Sequence, residues 1–196
     1  MARMKQVVVI AAPSGGGKNT IINEILKRCS NCSRLVTATT RAPRPGEVDG
    51  VDYHFFTEEK FLKDLEEGNI LEHRFIENLG THYGVYKPDL EARLAKGETI
   101  LCHLDIIGAR YLKENFNATT IFVRPESPEE LMRRIQERNP DMTDAERTER
   151  MRLATVEMTE HAPEYDYQVI NADGKLEAAV EKTIEILRKE GYTLES

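Results

Sequence analysis

The sequence predicts an α/β fold in which helices cover both faces of a parallel sheet. Four segments, residues 7–10, 99–104, 119–123 and 167–170, are continuous apolar or β-branched runs rather than alternating ones. Such runs are typical of strands that are buried on both faces. Helical segments lie between and after these runs, and 196 residues of which 40% are hydrophobic can bury one sizeable core.

The first predicted strand leads through a glycine-rich loop into a helix. Residues 11–20 read Ala-Ala-Pro-Ser-Gly-Gly-Gly-Lys-Asn-Thr. Glycines lack the Cβ atoms that would block an anion, and they permit the positive φ angles that turn successive amides towards it. The helix that begins near Lys18 adds the positive end of its dipole. Its apolar face comprises Ile21, Ile22, Ile25 and Leu26. The stretch is therefore predicted to bind phosphate.

This loop departs at two positions from the phosphate-loop pattern of Gly, four residues, Gly-Lys and Ser or Thr. Ala12 stands where the first glycine is expected, and Asn19 stands where a hydroxyl normally ligates Mg²⁺. A glycine-rich turn without a ligand is the alternative interpretation. Three glycines before a lysine, between a strand and a helix, favour the phosphate site.

Composition and charge argue against several classes of protein. The formal net charge of −7 is not typical of a general binder of nucleic acid or acidic membranes. No segment has the length of a membrane span or the pattern of a secretory signal, so a cytoplasmic location is expected. Cys29 and Cys32 form a C-x-x-C pair, but no second ligand pair follows, so structural cysteines are favoured over a zinc or redox site.

The middle of the chain has a different character, with short β-like runs separated by turn residues. These runs are residues 35–40, 53–56, 70–76 and 82–86. We expect residues 35–94 to form a small, mainly antiparallel insertion in a core made of residues 1–34, 95–126 and 164–196. Residues 127–163 are helical and rich in arginine and acidic side chains. They are either solvated helices with surface salt bridges or a lid that closes over phosphate, and the lid is favoured for some of the arginines.

A second group of functional side chains lies in the predicted insertion. Residues 39–47 read Thr-Thr-Arg-Ala-Pro-Arg-Pro-Gly-Glu. Arg41 and Arg44 can hold a phosphate with their planar guanidinium groups, and the hydroxyl of Tyr53 can donate a further hydrogen bond. Together with the phosphate loop, this segment resembles the guanylate kinase family, which phosphorylates GMP with ATP. The resemblance extends from residue 7 to about residue 187.

The resemblance implies a single domain with a phosphate-loop kinase core, a nucleotide-binding insertion and a helical lid. It implies ATP and GMP as substrates, Mg²⁺ as the cofactor that accompanies ATP, and no nucleic-acid or membrane partner, in a monomer or homodimer. The implied ATP-binding residues are Ala12, Pro13, Ser14, Gly15, Gly16, Gly17, Lys18, Asn19, Thr20, Arg134 and Asn171. The implied GMP-binding residues are Thr37, Arg41, Arg44, Tyr53, Glu72, Tyr83 and Asp105. The implied catalytic residues are Lys18, Arg41, Arg138 and Arg150.

Glu72 is the implied reader of guanine. Its carboxylate can accept hydrogen bonds from guanine N1–H and the exocyclic amine together, whereas adenine presents an acceptor at N1. Transfer needs no general base, because the attacking phosphate oxygen is already anionic. The five histidines share no metal-ligand spacing and are predicted to be structural or surface residues. Mg²⁺ is expected to bind mainly through ATP and water, with Asn19 as its nearest protein residue.

Two further positions depart from the family pattern and leave two alternatives open. His103 stands in place of an aspartate, and Val85 stands in place of a small hydroxyl residue. One alternative is a phosphate-loop kinase for another phosphorylated acceptor, against which the presence of Glu72 weighs. The other is a catalytically silent module that binds a phosphorylated peptide through Arg41, Arg44 and Tyr53. The intact glycine-lysine loop and the lid arginines weigh against that module.

Overall fold

The computed structural model describes residues 5–195, without the side chain of Asn78. The strands are β1 (Val7–Ala11), β2 (Cys32–Arg34), β3 (Ala38–Thr39), β4 (His54–Phe55), β5 (Ile70–Ile76), β6 (Thr81–Tyr86), β7 (Thr99–Cys102), β8 (Thr119–Arg124) and β9 (Tyr167–Ile170). The helices are α1 (Lys18–Arg28), α2 (Glu58–Glu66), α3 (Lys87–Ala95), α4 (Ile106–Phe116), α5 (Pro128–Arg138), α6 (Asp144–Val156) and α7 (Leu176–Lys189). The predicted core segments 1–34 and 164–196 extend outside the described residues at 1–4 and 196.

The larger sheet has five strands in the order β2-β7-β1-β8-β9, and every pairing in it is parallel. On one face, Val8 and Ile10 of β1 pack with apolar residues of α1 and α7. On the other face, Val7 and Val9 pack with apolar residues of α3 and α4. Burial on both faces explains why the strands are apolar without alternation, and it confirms the predicted α/β fold.

Two details of this sheet differ from the sequence prediction. The run at 99–104 ends as a strand at Cys102, because Asp105 caps the start of α4. The edge strand β2 was not predicted, since its three residues, Cys32, Ser33 and Arg34, carry no apolar pattern. They pair with β7 through backbone hydrogen bonds, which any side chain permits.

The second sheet has four strands in the order β4-β3-β6-β5. The β3–β6 and β5–β6 pairs are antiparallel, whereas β3 and β4 pair in parallel. Gly84 of β6 is required by a close approach, since a Cβ there would lie 2.7 Å from the carbonyl oxygen of Glu72 and 2.5 Å from Ile70. The second sheet is therefore mixed and mainly antiparallel, and it brings β5 directly alongside β6.

Helices α5 and α6 share a small apolar cluster of Leu131, Ile135 and Ala154, with three methionines packed against it. Their outer faces carry the expected surface ion pairs, for example Arg147 with Asp144 and Arg152 with Glu149, each at 2.8 Å. Two short turns, π-helical at Glu157–His161 and 3₁₀ at Ala162–Glu164, connect α6 to β9. The lid boundaries at residues 127 and 163 stay a prediction. Within residues 5–195, no helix is both long and apolar enough to span a membrane.

Candidate functional site

The glycine-rich loop joins the end of β1 to the first turn of α1. Gly17 precedes the helix in the left-handed region, with φ of 92°. The side-chain amide of Asn171 donates to the carbonyl oxygen of Gly16 at 3.1 Å, and a Cβ on Gly17 would lie 2.2 Å from that amide nitrogen. The buried Asn171 therefore fixes the loop from the end of β9 and requires glycine at position 17. The loop leaves the amides at the start of α1 open to an anion.

Lys18, the first residue of α1, stands between two cavities. Its ammonium group lies 3.4 Å from the carbonyl oxygen of Ala12. Burial lowers the pKa of Lys18, while the nearby Glu157 acts in the opposite direction. A partly desolvated cation at a helix N-terminus interacts strongly with phosphate, because little water screens the charge.

The first of these cavities, the donor cavity, has a volume of about 560 Å³ and follows the glycine-rich loop. Its lining is Pro13, Gly15, Gly17, Lys18, Asn19, Thr20, Arg134, Glu137, Arg138, Asn171, Ala172, Asp173, Gly174 and Leu176. The structure thus brings together eight of the eleven implied ATP-binding residues. Ala12 lines the second cavity instead, and Ser14 and Gly16 line neither of the two.

The second cavity, the acceptor cavity, has a volume of about 430 Å³ and lies between the two sheets and α6. Its lining includes five of the implied GMP-binding residues: Thr37, Tyr53, Glu72, Tyr83 and Asp105. Lys18 lines this cavity as well as the donor cavity. The side chain of Lys18 is therefore the point at which the two cavities meet.

Glu72 extends from β5 into the acceptor cavity. Burial, and next the negative charge of Asp105, raise the pKa of Glu72 to about 7, while Arg74 acts in the opposite direction. Asp105 itself is held in place, because its carboxylate accepts from the backbone nitrogens of Ile107 at 3.0 Å and Gly108 at 3.2 Å. The second oxygen of Asp105 pairs with Arg74.

Arg41 and Arg44 lie outside the lining of the acceptor cavity, and Arg41 lies next to Tyr53. The two terminal nitrogens of Arg41 donate to the carboxylate of Glu47 at 2.8 and 2.9 Å, and its guanidinium carbon lies 5.4 Å from the centre of the Tyr53 ring. The hydrogen bonds from Arg41 and from the Arg44 backbone hold the pKa of Glu47 at about 2. Glu47 therefore fixes the plane of the Arg41 guanidinium, while the side chain of Arg44 is exposed.

Three arginines of the predicted lid, Arg134, Arg138 and Arg150, are implied site residues, and they differ in their surroundings. Arg134 is committed to protein contacts, with Glu130 at 2.5 Å and the carbonyl oxygen of Asn171 at 2.8 Å. Arg138 is exposed and lines the donor cavity. Arg150 is exposed on α6 and lines neither cavity. The structure thus brings Arg134 and Arg138 to the phosphate loop and leaves Arg150 apart from it.

Comparison with known proteins identifies the family to which this chain belongs. The family model described as "Guanylate kinase" matches residues 4–190. The chain belongs to the guanylate kinase family. A guanylate kinase of Synechocystis sp. is 36% identical over 187 residues, which cover 94% of each chain. One from Paramagnetospirillum magneticum is 42% identical over 176 residues, which cover 88% of this chain and 80% of that protein.

The fold of a solved guanylate kinase is similar over almost the whole chain. The crystal structure of guanylate kinase from Anaplasma phagocytophilum aligns with a TM-score of 0.73 at 31% identity, covering 97% of this chain and 88% of that one. The guanylate kinase fold predicted from the sequence is thus confirmed.

Five polar side chains that line the acceptor cavity of this guanylate kinase family member were not predicted as site residues: Arg74, His103, Glu157, His161 and Tyr165. Arg74 had a signal, since it follows Glu72 by two residues on one strand and so lies on the same face. Glu157 had none, because the π-helical turn that carries it is not evident in the sequence. His103 and His161 were predicted to be structural or surface residues, and both line the cavity instead. Val85, a departure from the family pattern, is fully buried in the apolar core and does not line the cavity.

Proposed function

We propose that this protein is a guanylate kinase that transfers the γ-phosphoryl group of ATP to the phosphate of GMP. The observation that carries the proposal is the position of Lys18, which lines both the donor and the acceptor cavity of a chain in the guanylate kinase family. Two nucleotides bound on either side of Lys18 would present their terminal phosphates to one cation.

The donor cavity suits the phosphates of ATP. The amides that follow the glycines and the N-terminus of α1 supply hydrogen-bond donors and a positive dipole end, and Lys18 supplies a full charge. Arg138 lines the same cavity and is exposed, so it is available to a phosphate. Arg134 and Asn171 keep the loop in place through their contacts with each other and with Gly16.

The acceptor cavity suits GMP. Glu72 provides the two carboxylate oxygens that guanine N1–H and its amine require, and Asp105 and Thr37 lie in the same lining. Tyr53 and Tyr83 line the side of the cavity next to Arg41, with ring centroids 6.1 Å apart. The GMP phosphate is therefore assigned to the Tyr53 side, within reach of Arg41 and Arg44.

Transfer follows from this arrangement. An oxygen of the GMP phosphate attacks the γ-phosphorus in line, the bond from the γ-phosphorus to the β,γ-bridging oxygen breaks, and ADP leaves with that oxygen. Lys18 lies where charge develops between the two nucleotides, and Arg41 and Arg138 neutralise the equatorial and flanking oxygens. Arg150, on α6, lines neither cavity, so it reaches the transferring group only if α6 moves towards it.

We expect Mg²⁺ to be held in the donor cavity mainly by the phosphates of ATP and by water rather than by a cluster of protein ligands. Among the described residues, no group of three or more His, Cys, Asp or Glu side chains could hold a metal ion. Asn19 and Thr20, in the first turn of α1, line the donor cavity, and both side chains carry an oxygen, which is a suitable ligand for Mg²⁺ or for its water shell. Bound with ATP, the ion would neutralise charge on the β- and γ-phosphates.

The test is release of ADP from ATP, measured by a coupled assay with GMP, AMP, UMP and CMP as separate acceptors. We expect turnover with GMP and at least 100-fold lower kcat/KM with AMP, because adenine would leave the Glu72 carboxylate without donors. Preference for another acceptor, or GMP binding without turnover at any Mg²⁺ concentration, would contradict the proposal. A cytoplasmic location and a monomeric or homodimeric state stay predictions from the sequence.

A further inference from the structure

His103 and Tyr53 meet at the wall of the acceptor cavity, although they belong to different sheets. His103 directly follows β7 of the larger sheet, and Tyr53 directly precedes β4 of the second sheet. The Nε2 atom of His103 lies 3.4 Å from the hydroxyl oxygen of Tyr53, and the two rings are nearly perpendicular at 84°. This is a long hydrogen bond, and its direction decides what the Tyr53 hydroxyl can offer to a ligand.

The imidazole of His103 is uncharged. Burial, and next the positive charges of Lys18 and Arg34, lower the pKa of His103 to about 4. At neutral pH the ring therefore carries a single N–H, on either Nδ1 or Nε2, and its other nitrogen presents a lone pair.

The surroundings of Nδ1 favour one of these tautomers. Nδ1 of His103 is fully buried and has no hydrogen-bond partner in the part of the chain that the structure describes. In folded proteins, a buried N–H without an acceptor is rarer than a buried acceptor without a donor. The unpaired Nδ1 atom of His103 therefore carries a lone pair rather than a proton. The proton of the ring is on Nε2, which faces Tyr53.

We propose that His103 is a positioning residue that makes Tyr53 a hydrogen-bond donor to the phosphate of the acceptor nucleotide. Nε2–H of His103 donates to the phenol oxygen, which leaves the O–H of Tyr53 free to donate into the cavity. In the opposite arrangement, Tyr53 would donate to His103 and turn its lone pairs towards the phosphate anion, which repels them. The inference rests on the proposed function, because it takes GMP as the ligand.

We call this arrangement, in which His103 acts on the phosphate through Tyr53, the relay. Three single variants and one double variant distinguish it from a purely structural role of His103. His103→Leu removes the donor, Tyr53→Phe removes the hydroxyl, and His103→Gln keeps an N–H₂ group at about the reach of Nε2. We expect Tyr53→Phe to raise the KM for GMP roughly tenfold, since it loses a hydrogen bond to a charged group, with the KM for ATP unchanged. His103→Leu should raise the KM for GMP less, roughly threefold, because the Tyr53 hydroxyl stays but its O–H is no longer directed at the phosphate. The double variant should show the same tenfold loss, and His103→Gln should restore most of the GMP affinity that His103→Leu loses.

Two kinetic outcomes would overturn the relay. One is a double variant whose loss is the product of the two single losses, about 30-fold, because independent effects multiply. The other is a His103→Gln variant as weak for GMP as His103→Leu. Thermal melting of each variant identifies a folding defect, and Tyr53→Phe, which keeps the ring, still tests the hydroxyl if His103→Leu does not fold.

The tautomer can be measured without any nucleotide. We expect ¹⁵N NMR of the histidine-labelled protein near pH 7 to show His103 protonated on Nε2 and not on Nδ1, with His103→Gln used to assign its signals. A proton on Nδ1 would overturn the relay whatever the kinetics. A parent protein that binds GMP but does not phosphorylate it would contradict the proposed function alone, and the same variants would then be compared by GMP binding.

Discussion

Replacement of Glu72 by glutamine is predicted to have opposite effects on stability and on GMP binding. The carboxylate of Glu72 is held in a partly buried position, beside the negative charge of Asp105, where its charge is costly in the absence of a ligand. The same charge is what guanine N1–H and the exocyclic amine require. A glutamine removes the cost and keeps one acceptor, but it turns an N–H₂ group towards a guanine donor.

The size of both effects follows from the pKa and from the hydrogen bonds. A rise of the Glu72 pKa from 4.5 to about 7 corresponds to about 3 kcal/mol against the charged form. Since Glu72 keeps some contact with solvent, screening reduces this to about 1–2 kcal/mol. We therefore expect Glu72→Gln to be about 1–2 kcal/mol more stable than the parent above pH 7. Its GMP affinity should fall by about 2–3 kcal/mol, or roughly 30- to 150-fold.

The pH dependence of stability has a definite sign. The pKa of Glu72 is raised in the folded state, so its contribution favours folding when the group is protonated and is lost as the pH rises from about 4.5 through about 7. The stability difference between Glu72→Gln and the parent should therefore grow over this range. Urea unfolding of both proteins at pH 5, 6, 7 and 8 measures it.

GMP binding should show the complementary pH dependence. Below pH 7 the parent loses the ionised carboxylate, so its KM for GMP should rise by up to about tenfold per pH unit, relative to the variant. Glu72→Gln is the matched control, because the GMP phosphate titrates equally with both proteins. The KM for ATP should be unchanged. Equal GMP affinity in the two proteins at pH 8 would refute the assignment of Glu72 to guanine.

Three further substitutions test the phosphate sites. Arg41→Lys keeps the charge but loses the planar fork that Glu47 orients, so kcat should fall at least tenfold, and near-parental turnover would indicate a purely structural ion pair. Asn19→Ser should lower the Mg²⁺ concentration for half-maximal rate, with stability changed by less than about 0.5 kcal/mol, and coincident Mg²⁺ curves would place Asn19 outside the metal shell. Gly17→Ala should weaken ATP binding and destabilise the fold by about 2 kcal/mol or more, since a Cβ would collide with Asn171. Gly46→Ala is its control, because φ is 88° there and nothing lies within 4 Å of a Cβ, so equal losses in the two variants would exclude the collision as the cause.

The fold class and the phosphate loop could be read from the sequence because both depend on local patterns. A strand buried on both faces must be apolar throughout, as in residues 7–10, and a loop that holds an anion with its amides must be nearly free of side chains. The edge strand β2 could not be read in this way. It is held by backbone hydrogen bonds to β7, and these leave no pattern in its side chains.

The sequence by itself determined which residues could carry the chemistry, since Lys18 and the two arginines of the insertion follow from residue type and spacing, and Glu72 follows from the resemblance to guanylate kinases. Only the tertiary structure decided their arrangement. The packing of the two sheets brings His103 into contact with Tyr53, and the π-helical turn places Glu157 near Lys18. Contacts between residues 50 or more positions apart depend on how the two sheets pack, and the pKa values of His103 and Glu72 depend on the resulting loss of solvent, which no local pattern encodes.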